Sequence, residues 1–448
     1  MIEINIPSNN LKERRYIIQI LFKEFLDIKY NLTVSDSQSN WDITLENQKK
    51  IIFEDSFFNF YPNELEYLKK ENIPKTVNFQ KGLYTGNGLA IIFGENKLNK
   101  KENTIISGLD IFASSFFMLT RWEELVNKKR DNHNRFSALE SIAYKNDFLK
   151  RPIVNEYLEF LWDLLKSQGL LEKRKERKFE FINTHDVDIP LKYPNFKSGF
   201  RELLGDLLKR RNLKLFFHNA KTKINVSLGL TNDPFDTFDF LMDISEKHKV
   251  KSYFFFMGKG QTKYDNFYQS NSRFIKKLIE KIKKRNHFIG IHPTYNSFNL
   301  DNQFRNEKEE LVRNLNCNLI FGRQHYLRFE VPKTWQIWDD NNMVWDSTLG
   351  YADKEGFRGG VCFEYSVFNV ETRNTLRLKE KPLIVMEGSF STYQSDTSTI
   401  QVEKKIIDVL NQVKKYNGTF VFLWHNSSFN TEYSMKYEYL YSKILSLG

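Results

Sequence analysis

The second half of the chain alternates short apolar segments with longer amphipathic ones, and this alternation limits the folds open to it. The apolar segments are typical of buried strands and cover 179–183, 252–257, 288–291, 319–321, 383–386 and 419–424. Helical periodicity lies between them, at 235–248, 272–285, 301–314 and 399–416. Strands that alternate with helices favour a parallel sheet or barrel, in which functional side chains gather beyond the carboxyl ends of the strands.

A charged run, EKRKERK at 172–178, separates this half from a differently patterned first half. The first half mixes short alternating segments (3–6, 33–35, 50–53) with helical stretches at 11–26 and 109–125. Its residues lack the spacing of metal ligands, and His133 stands alone in a polar segment that predicts a loop. We therefore expect a smaller α+β accessory domain at 1–172, with a structural role, and an α/β domain at 179–448.

Composition excludes several classes of protein. Fifteen per cent aromatic residues is too much apolar ring for a disordered chain, and two cysteines exclude a disulfide framework and a cysteine zinc site. The apolar stretches are too short for a membrane span, and the start does not resemble a signal peptide, so we expect a cytoplasmic protein. The net charge of +11 comes from Lys spread through helical segments, so no nucleic-acid partner is expected. The oligomeric state is unknown from the sequence.

Polar side chains stand where four of the predicted strands end. Four of the eight histidines are there: His185, His292, His325 and His425. Two carboxylates, Asp186 and Asp188, follow the first strand, where burial is costly without a partner. Asp with His suits a divalent ion such as zinc, which leaves a ligand position open for water. A second Asp, a separate His and an Arg would supply a base, an acid and an orienting cation, as metal-assisted hydrolysis needs.

In their order, these segments resemble the motifs of the polysaccharide deacetylase family (carbohydrate esterase family 4). The resemblance covers about 179–448 and implies a distorted, incomplete parallel (β/α) barrel. THDVD resembles the first motif, which implies that Asp186 is the general base and Asp188 a metal ligand. RQHYLRF and LWHN resemble two later motifs, which implies that Arg323 orients the base and His425 is the general acid. The first half is similar to the extra N-terminal domain of a bacterial subgroup.

The remaining motif, GIHPTYNS, departs from the family pattern. The resemblance implies that His292 and the residue four positions later bind the metal, and that residue is Asn296 rather than His. An amide carbonyl binds a zinc-like ion more weakly than imidazole does. We expect Zn²⁺ on Asp188, His292 and Asn296, with His185 or His325 as possible substitutes for the third ligand.

The resemblance also implies a carbohydrate or glycan substrate, and DSTLGYADKEGFRGG resembles a substrate-groove segment. Polar and aromatic residues near the motifs are therefore predicted to contact substrate: His185, His325, Tyr326, Arg328, Trp335, Asp346, Arg358, Glu387 and Trp424. The tryptophans have an alternative role in the core, and Glu387 one in a structural pair. The expected activity is metal-dependent hydrolysis that removes N- or O-acetyl groups from a sugar, polysaccharide or glycan precursor. The alternative is a catalytically reduced carbohydrate-binding or scaffold protein on the same fold.

Overall fold

The computed structural model describes residues 1–80, 88–265, 268–394, 397–429 and 434–448. Within these ranges, none of the helices combines the length and the apolar character needed to cross a membrane.

The first half is built on a six-stranded mixed sheet in the order β2-β1-β3-β4-β8-β7, beside a two-stranded ribbon of β5 and β6. The strands are β1 (Ile2–Pro7), β2 (Tyr30–Ser35), β3 (Trp41–Thr44), β4 (Lys50–Phe53), β5 (Asn78–Gln80), β6 (Leu89–Ile91), β7 (Gly94–Lys101) and β8 (Thr104–Leu109). The helices are α1 (Leu11–Ile18), which continues as a π-helical stretch (Gln19–Leu26), α2 (Ile111–Thr120), α3 (Trp122–Val126), α4 (Ile142–Lys145) and α5 (Ile153–Ser167). Short 3₁₀ turns cover Lys70–Asn72 and Ala138–Glu140.

The helical stretch predicted at 109–125 is two helices. Asp110 caps α2, because its side chain accepts a hydrogen bond from the backbone of Ala113 at 2.9 Å. Every residue of α2 is buried, as its apolar sequence predicts. The helix stops at Arg121, whose backbone is left-handed at φ 54°. This break turns the Arg121 guanidinium back into the interior, where it pairs with Glu123 and Glu124.

In the second half, the described residues form a nine-stranded sheet in the order β14-β15-β13-β12-β11-β10-β9-β17-β16, curled into a half barrel. Its strands are β9 (Glu180–Val187), β10 (Ser252–Phe256), β11 (Phe288–Ile291), β12 (Phe321–Gly322), β13 (Trp345–Asp346), β14 (Tyr365–Asn369), β15 (Asn374–Glu380), β16 (Leu383–Met386) and β17 (Thr419–Leu423). All of its pairs are parallel except β14 with β15. The predicted parallel-rich α/β architecture is confirmed, and the boundary at 172–178 stays a prediction.

Helices connect these strands. They are α6 (Phe196–Leu208), α7 (Leu213–Ser227), α8 (Phe238–Lys247), α9 (Arg273–Lys284), α10 (Asp301–Leu315), α11 (Lys333–Asp340), α12 (Glu387–Tyr393), α13 (Thr399–Lys415) and α14 (Ser434–Leu445). Short 3₁₀ turns lie at Ser297–Asn299, His325–Leu327 and Asn426–Ser428. The helices α6 and α7 were not among the predicted ones, and they form a hairpin inserted between β9 and α8.

The two halves share one apolar core, which extends from Ile2 to Leu445. Buried polar contacts also join them. The Arg358 guanidinium lies 2.9 Å and 2.5 Å from the two carboxylate oxygens of Glu124, with both residues about fully buried. The hydroxyl of Tyr365 donates to the carbonyl of Leu119 at 3.0 Å. Because desolvated pairs of this kind are costly to break, the first half is part of the structural support of the sheet.

Candidate metal and catalytic site

The strand register aligns the carboxyl ends of four neighbouring strands. Val187 of β9 pairs with Phe256 of β10, which pairs with Ile291 of β11, which in turn pairs with Gly322 of β12. The residues that come next along β9, β11 and β12 are Asp188, His292 and Arg323. Polar residues that the sequence separates by more than a hundred positions therefore meet at one edge of the sheet.

Asp188, His292 and His325 form a cluster that could hold a metal ion. One ligand atom from each residue lies within 4.8 Å of the other two. Nε2 of His292 is 3.1 Å from Oδ1 of Asp188, and Nε2 of His325 is 3.7 Å from the same oxygen. Among the described residues, no other group of His, Cys, Asp and Glu side chains has that geometry.

The hydrogen bonds of the two imidazoles direct their Nε2 atoms toward Asp188. Nδ1 of His292 lies 2.7 Å from the carbonyl oxygen of Arg323, and Nδ1 of His325 lies 3.1 Å from a carboxylate oxygen of Asp265. Both partners only accept, so each Nδ1 carries a hydrogen and Nε2 is the ring nitrogen left to face Asp188. Oδ1 of Asp188 is buried, and it has no hydrogen-bond partner among the described residues. One carboxylate oxygen and two imidazole nitrogens that converge in this way are a donor set that suits a divalent metal.

The electrostatics of Asp188 agree with this arrangement. Burial alone would raise the pKa of the Asp188 carboxyl. The imidazoles of His325, His292 and His425 outweigh burial and hold that pKa well below its usual range. Asp188 is therefore ionised at neutral pH, as a metal ligand must be.

Asp186 is held by a buried arginine. Nη1 of Arg323 donates to Oδ1 of Asp186 and to the hydroxyl of Thr184, both at 2.9 Å. The rest of the guanidinium is bonded to the carbonyl and hydroxyl of Ser347 at 2.9 and 3.1 Å. Oδ2 of Asp186 points toward the cluster, 3.8 Å from Nε2 of His292. The arginine fixes one oxygen of Asp186 and leaves the other beside the candidate metal position.

Glycine at position 322 lets Arg323 reach this place. A Cβ on Gly322 would lie 1.9 Å from the carbonyl oxygen of Ile291, inside any permitted contact. The short strand β12 can therefore approach β11 closely only with glycine there. The backbone N–H of Arg323 continues the ladder by donating to Ile291 at 3.1 Å.

His425 and Glu387 form a dyad beside the same cluster. Nδ1 of His425 is 2.6 Å from Oε1 of Glu387, which also accepts from the backbone of His425 and the hydroxyl of Ser428. Nε2 of His425 lies 3.6 Å from Oδ2 of Asp188. Burial would lower the pKa of His425, but the carboxylates of Glu387 and Asp188 raise it to about 10. The imidazole is therefore protonated at neutral pH and can donate a proton from Nε2.

The structure gives Asn296 a different partner from the one expected. Its side-chain oxygen accepts from Nη1 of Arg328 at 3.3 Å, and the same nitrogen donates to the carbonyl of Tyr295 at 2.6 Å. The Arg328 guanidinium also lies over the rings of Tyr295 and Phe298, 3.9 Å from each centroid. Arg328 therefore clamps this loop, and the second imidazole next to Asp188 belongs to His325, which the sequence offered only as a substitute.

Two features hold His325 in place. Asp265 accepts from Nδ1 of His325 and is itself fixed by the backbone N–H groups of Tyr295 and Thr262, at 2.7 and 2.9 Å. The next two residues, Tyr326 and Leu327, are left-handed at φ 61° and 54°. Bulky residues adopt this conformation at a cost of about 1 kcal/mol or more, mostly where the surroundings enforce it at functional sites. Asp265 was missed from the sequence, because nothing local links it to His325.

Two of the residues predicted to contact substrate are interior aromatic side chains. Trp335 is fully buried, and its indole N–H donates to Glu380 at 2.8 Å. Trp424 is also fully buried and stacks on Phe429 in an aromatic group with Tyr441. In this structure both tryptophans pack the core.

The polar residues of that predicted set are also mostly interior. His185 is fully buried, with Nδ1 2.7 Å from the carbonyl of Trp424 and Nε2 3.2 Å from the hydroxyl of Ser252. Arg358 is bonded to Glu124, as described above, and Asp346 is bonded to the backbone and hydroxyl of Thr348. All three side chains are buried and bonded within the protein, and Tyr326 alone of the predicted aromatics is half-exposed.

An aromatic cluster adjoins His325, and the first half of the chain contributes to it. It comprises His133, Tyr264, Tyr295 and Tyr326. Tyr264 stacks on Tyr295 with centroids 4.4 Å apart, and His133 lies 4.7 Å from Tyr326. Nδ1 of His133 is also 3.1 Å from the hydroxyl of Tyr295. The lone histidine predicted on a loop therefore lies at the rim of the site, where no local sequence signal would have located it.

Comparisons with known proteins match the chain in part. Residues 2–170 match the model of a family described as being of unknown function, DUF7033. No curated protein matches the chain in sequence. A crystal structure from Mycobacterium smegmatis, described provisionally as a polysaccharide deacetylase, aligns at 14% identity and a TM-score of 0.39, over 62% of this chain and 87% of that one.

Two further solved structures are similar at a lower level. A CE4 family pseudoenzyme from Bacillus anthracis aligns at 13% identity and a TM-score of 0.28, over 60% of this chain and 62% of its own. A mutant of that pseudoenzyme with restored enzymatic activity aligns at 11% identity and 0.28, over 65% and 80%. Likeness at these values carries no conclusion about the activity or substrate of this chain.

Proposed function

We propose that this protein is a metal-dependent hydrolase that removes N- or O-acetyl groups from a sugar, polysaccharide or glycan precursor. The proposal rests on the convergence of one possible ligand atom each from Asp188, His292 and His325. Asp186 and His425 lie beside these atoms. Arg323 holds Asp186, and Glu387 holds His425. The resemblance of the motifs to those of the polysaccharide deacetylases supports acetyl as the group that is hydrolysed.

The donor set suits a zinc-like divalent ion. Asp188 would supply a carboxylate oxygen, and His292 and His325 would each supply Nε2. Three protein ligands that include imidazole, with a further position open, are typical of catalytic zinc. When bound, such an ion polarises an acyl carbonyl and lowers the pKa of water.

The residues around the cluster have the geometry of a base and an acid. Asp186 would take a proton from the attacking water through Oδ2, since Arg323 occupies its other oxygen. His425 would give its Nε2 proton to the departing nitrogen, because Glu387 holds Nδ1. The C–N bond of the amide breaks, a C–O bond to the water oxygen forms, and acetate and an amine leave.

The half-exposed rings beside His325 offer a place for the sugar. Tyr264 and Tyr326 present aromatic surface next to the cluster, whereas Trp335 and Trp424 lie inside. Sugar rings stack on aromatic faces, so Tyr326 is the aromatic substrate contact that we retain from the predicted set.

The experiment that tests the proposal combines elemental analysis with acetate release. The purified protein should contain about one divalent ion per chain and release acetate from N-acetylated glucosamine oligomers. The variant Asp186→Asn should keep the metal and lose the release. A wild-type protein that neither retains zinc, cobalt or manganese after loading nor releases acetate would contradict the proposal.

A further inference from the structure

The hairpin of α6 and α7, with the turn that follows it, exposes an unusual amount of apolar surface. Leu208 is 74% exposed and Phe217 66% exposed. The other exposed large apolar side chains of the hairpin are Phe200, Leu204, Leu213, Ile224, Leu228 and Leu230. Exposed apolar side chains are ordinary when scattered, but a contiguous group marks an interaction surface.

The exposed residues form a stripe on each helix. On α6 they follow a spacing of four, at 200, 204 and 208. On α7 and the residue after it they lie at 213, 217, 224 and 228, again on one helical face. A side chain covers the same face of a helix every three or four residues, so each helix of the hairpin has an apolar face that the described part of the chain leaves uncovered.

The hairpin is folded, and a buried polar contact joins its two helices. Asp206, which is buried, accepts from the side-chain amide of Asn219 across the hairpin at 2.7 Å. Asn212 caps α7 by accepting from the backbone of Leu215 at 3.0 Å. The outward stripe is therefore a property of a formed element.

Basic residues accompany the stripe. Residues 203–230 contain six Lys or Arg residues and one acidic residue, the buried Asp206. Lys209, Arg211, Lys214 and Lys221 are exposed. A helix with an apolar face and an excess of Lys and Arg is typical of elements that lie in the interface of a bilayer with anionic headgroups.

We propose that the α6–α7 hairpin binds the surface of an anionic lipid membrane, with its apolar stripe inserted at the boundary between headgroups and acyl chains. A second copy of this chain fits the surface less well, because pairing two such faces would bring two sets of Lys and Arg residues close together. A nucleic acid would match the charge and leave the apolar stripe unused. The hairpin leaves the sheet after β9, the strand that carries Asp186, and Asp233 anchors its base by accepting from the backbone of Lys192 and Tyr193 at 2.7 and 2.8 Å.

The test is co-sedimentation of the full chain with vesicles of phosphatidylcholine alone or with about 30% phosphatidylserine, the class of lipid that gives membranes their negative surface. We expect binding to the anionic vesicles and at least about tenfold weaker binding of the double variant Leu213→Ser and Phe217→Ser. The matched control, Leu171→Ser with Phe60→Ser, removes the same two exposed residue types elsewhere and should bind as the wild type does. Replacing Lys209, Arg211 and Lys214 with Gln should weaken binding to anionic vesicles, whereas replacing Lys69, Lys70 and Lys75 should not.

Three results would overturn this proposal. They are no binding to either vesicle, equal loss in the hairpin variant and its control, and a wild-type dimer that the hairpin variant turns into a monomer without any vesicle binding. The thermal unfolding of each variant, followed by circular dichroism, identifies loss of fold. Because Asp186→Asn should bind vesicles normally, failure of membrane binding and failure of the proposed hydrolysis are distinguishable.

Discussion

Nε2 of His325 lies 3.7 Å from Oδ1 of Asp188, while the other nitrogen of the same ring is bonded to Asp265. This relationship supplies an imidazole to the site from the segment after β12. The motif after β11 has Asn296 where a second histidine was expected, and the side-chain oxygen of Asn296 accepts from Arg328. The proposed ligand set is therefore Asp188, His292 and His325.

Replacing the third proposed ligand should weaken metal binding. His325→Gln should lower the affinity for Zn²⁺ by at least about 100-fold, since even the outer partners of metal ligands are worth about 10- to 100-fold. Asn296→Ala should change the affinity by less than about threefold, because its oxygen is bonded to Arg328. Competition with a chelating dye measures both. The opposite ranking of the two variants would return Asn296 to the ligand set.

The carboxylate of Asp265, which accepts from His325, should affect metal affinity almost as much as a ligand does. Asp265→Asn keeps the size of the side chain, but it replaces one carboxylate oxygen with an NH₂ group. In the wild type, both oxygens accept from backbone N–H groups, those of Thr262 and Tyr295. We expect a loss of metal affinity of about 10- to 100-fold, because the orientation and basicity of His325 both depend on Asp265. The exposed Asp36→Asn is the matched control. Metal titration of the two proteins measures the effect. Equal affinities would mean that Asp265 only holds the backbone of the loop and does not position His325.

The roles of the two aspartates should separate in kinetics. Asp186→Asn should reduce acetate release by about 100-fold or more, because a general base is lost. Its metal content should stay near that of the wild type, since Asp188 is the proposed ligand. Elemental analysis beside the kinetic assay checks this. If Asp186→Asn lost its metal, the roles of the two residues would be exchanged.

Arg358 should stabilise the fold through its buried pair with Glu124. Arg358→Met leaves that carboxylate with fewer partners in the interior, and we expect the free energy of unfolding to fall by about 3 kcal/mol. Arg305→Met breaks an exposed pair with Asp301 and should cost less than about 1 kcal/mol. Denaturant unfolding curves measure both. Unchanged stability with a raised KM in Arg358→Met would favour the substrate contact predicted from the sequence.

Stability should depend on pH through Asp346 and Glu380. Burial raises the pKa of both carboxyls, and the Asp346 carboxylate raises the pKa of Glu380 further. A carboxyl with a raised folded pKa binds its proton more tightly in the folded state. Its stabilising effect is present below the ordinary pKa of about 4 and is lost as the pH rises through the folded value, by up to about 1.4 kcal/mol per pH unit for each group.

Asp346→Asn should therefore flatten the decline in unfolding free energy toward neutral and alkaline pH. The exposed Asp340→Asn should leave the decline unchanged. Denaturant unfolding at a series of pH values measures the slope. A slope in Asp346→Asn equal to that of the wild type would mean that the buried pair does not titrate as argued.

The sequence predicts the sheet edge better than it predicts the side chains there. Asp188 directly follows β9 and His292 directly follows β11, so the pairing of these strands with β10 places the two residues at one edge of the sheet. His325 follows a two-residue strand and precedes two left-handed residues, and its direction depends on this backbone. Nothing in the sequence pattern encodes that geometry.

Contacts between distant segments were beyond sequence reasoning for the same physical reason. His133 reaches the rim because the first half packs on the sheet, and Glu124 receives Arg358 through that packing. Such contacts depend on how whole elements pack and leave no local periodicity. The apolar stripe of α6 and α7 is periodic, yet its direction toward solvent follows only from the packing of the hairpin.

The most direct test of the ligand set is a crystal structure of the protein grown with Zn²⁺, with an anomalous difference map at the zinc edge. We expect one strong peak at about 2.0–2.2 Å from a carboxylate oxygen of Asp188 and from Nε2 of both His292 and His325. A peak bound by the side-chain oxygen of Asn296, with His325 still on Asp265 and away from the ion, would contradict it. So would the absence of a peak at this edge of the sheet under saturating zinc.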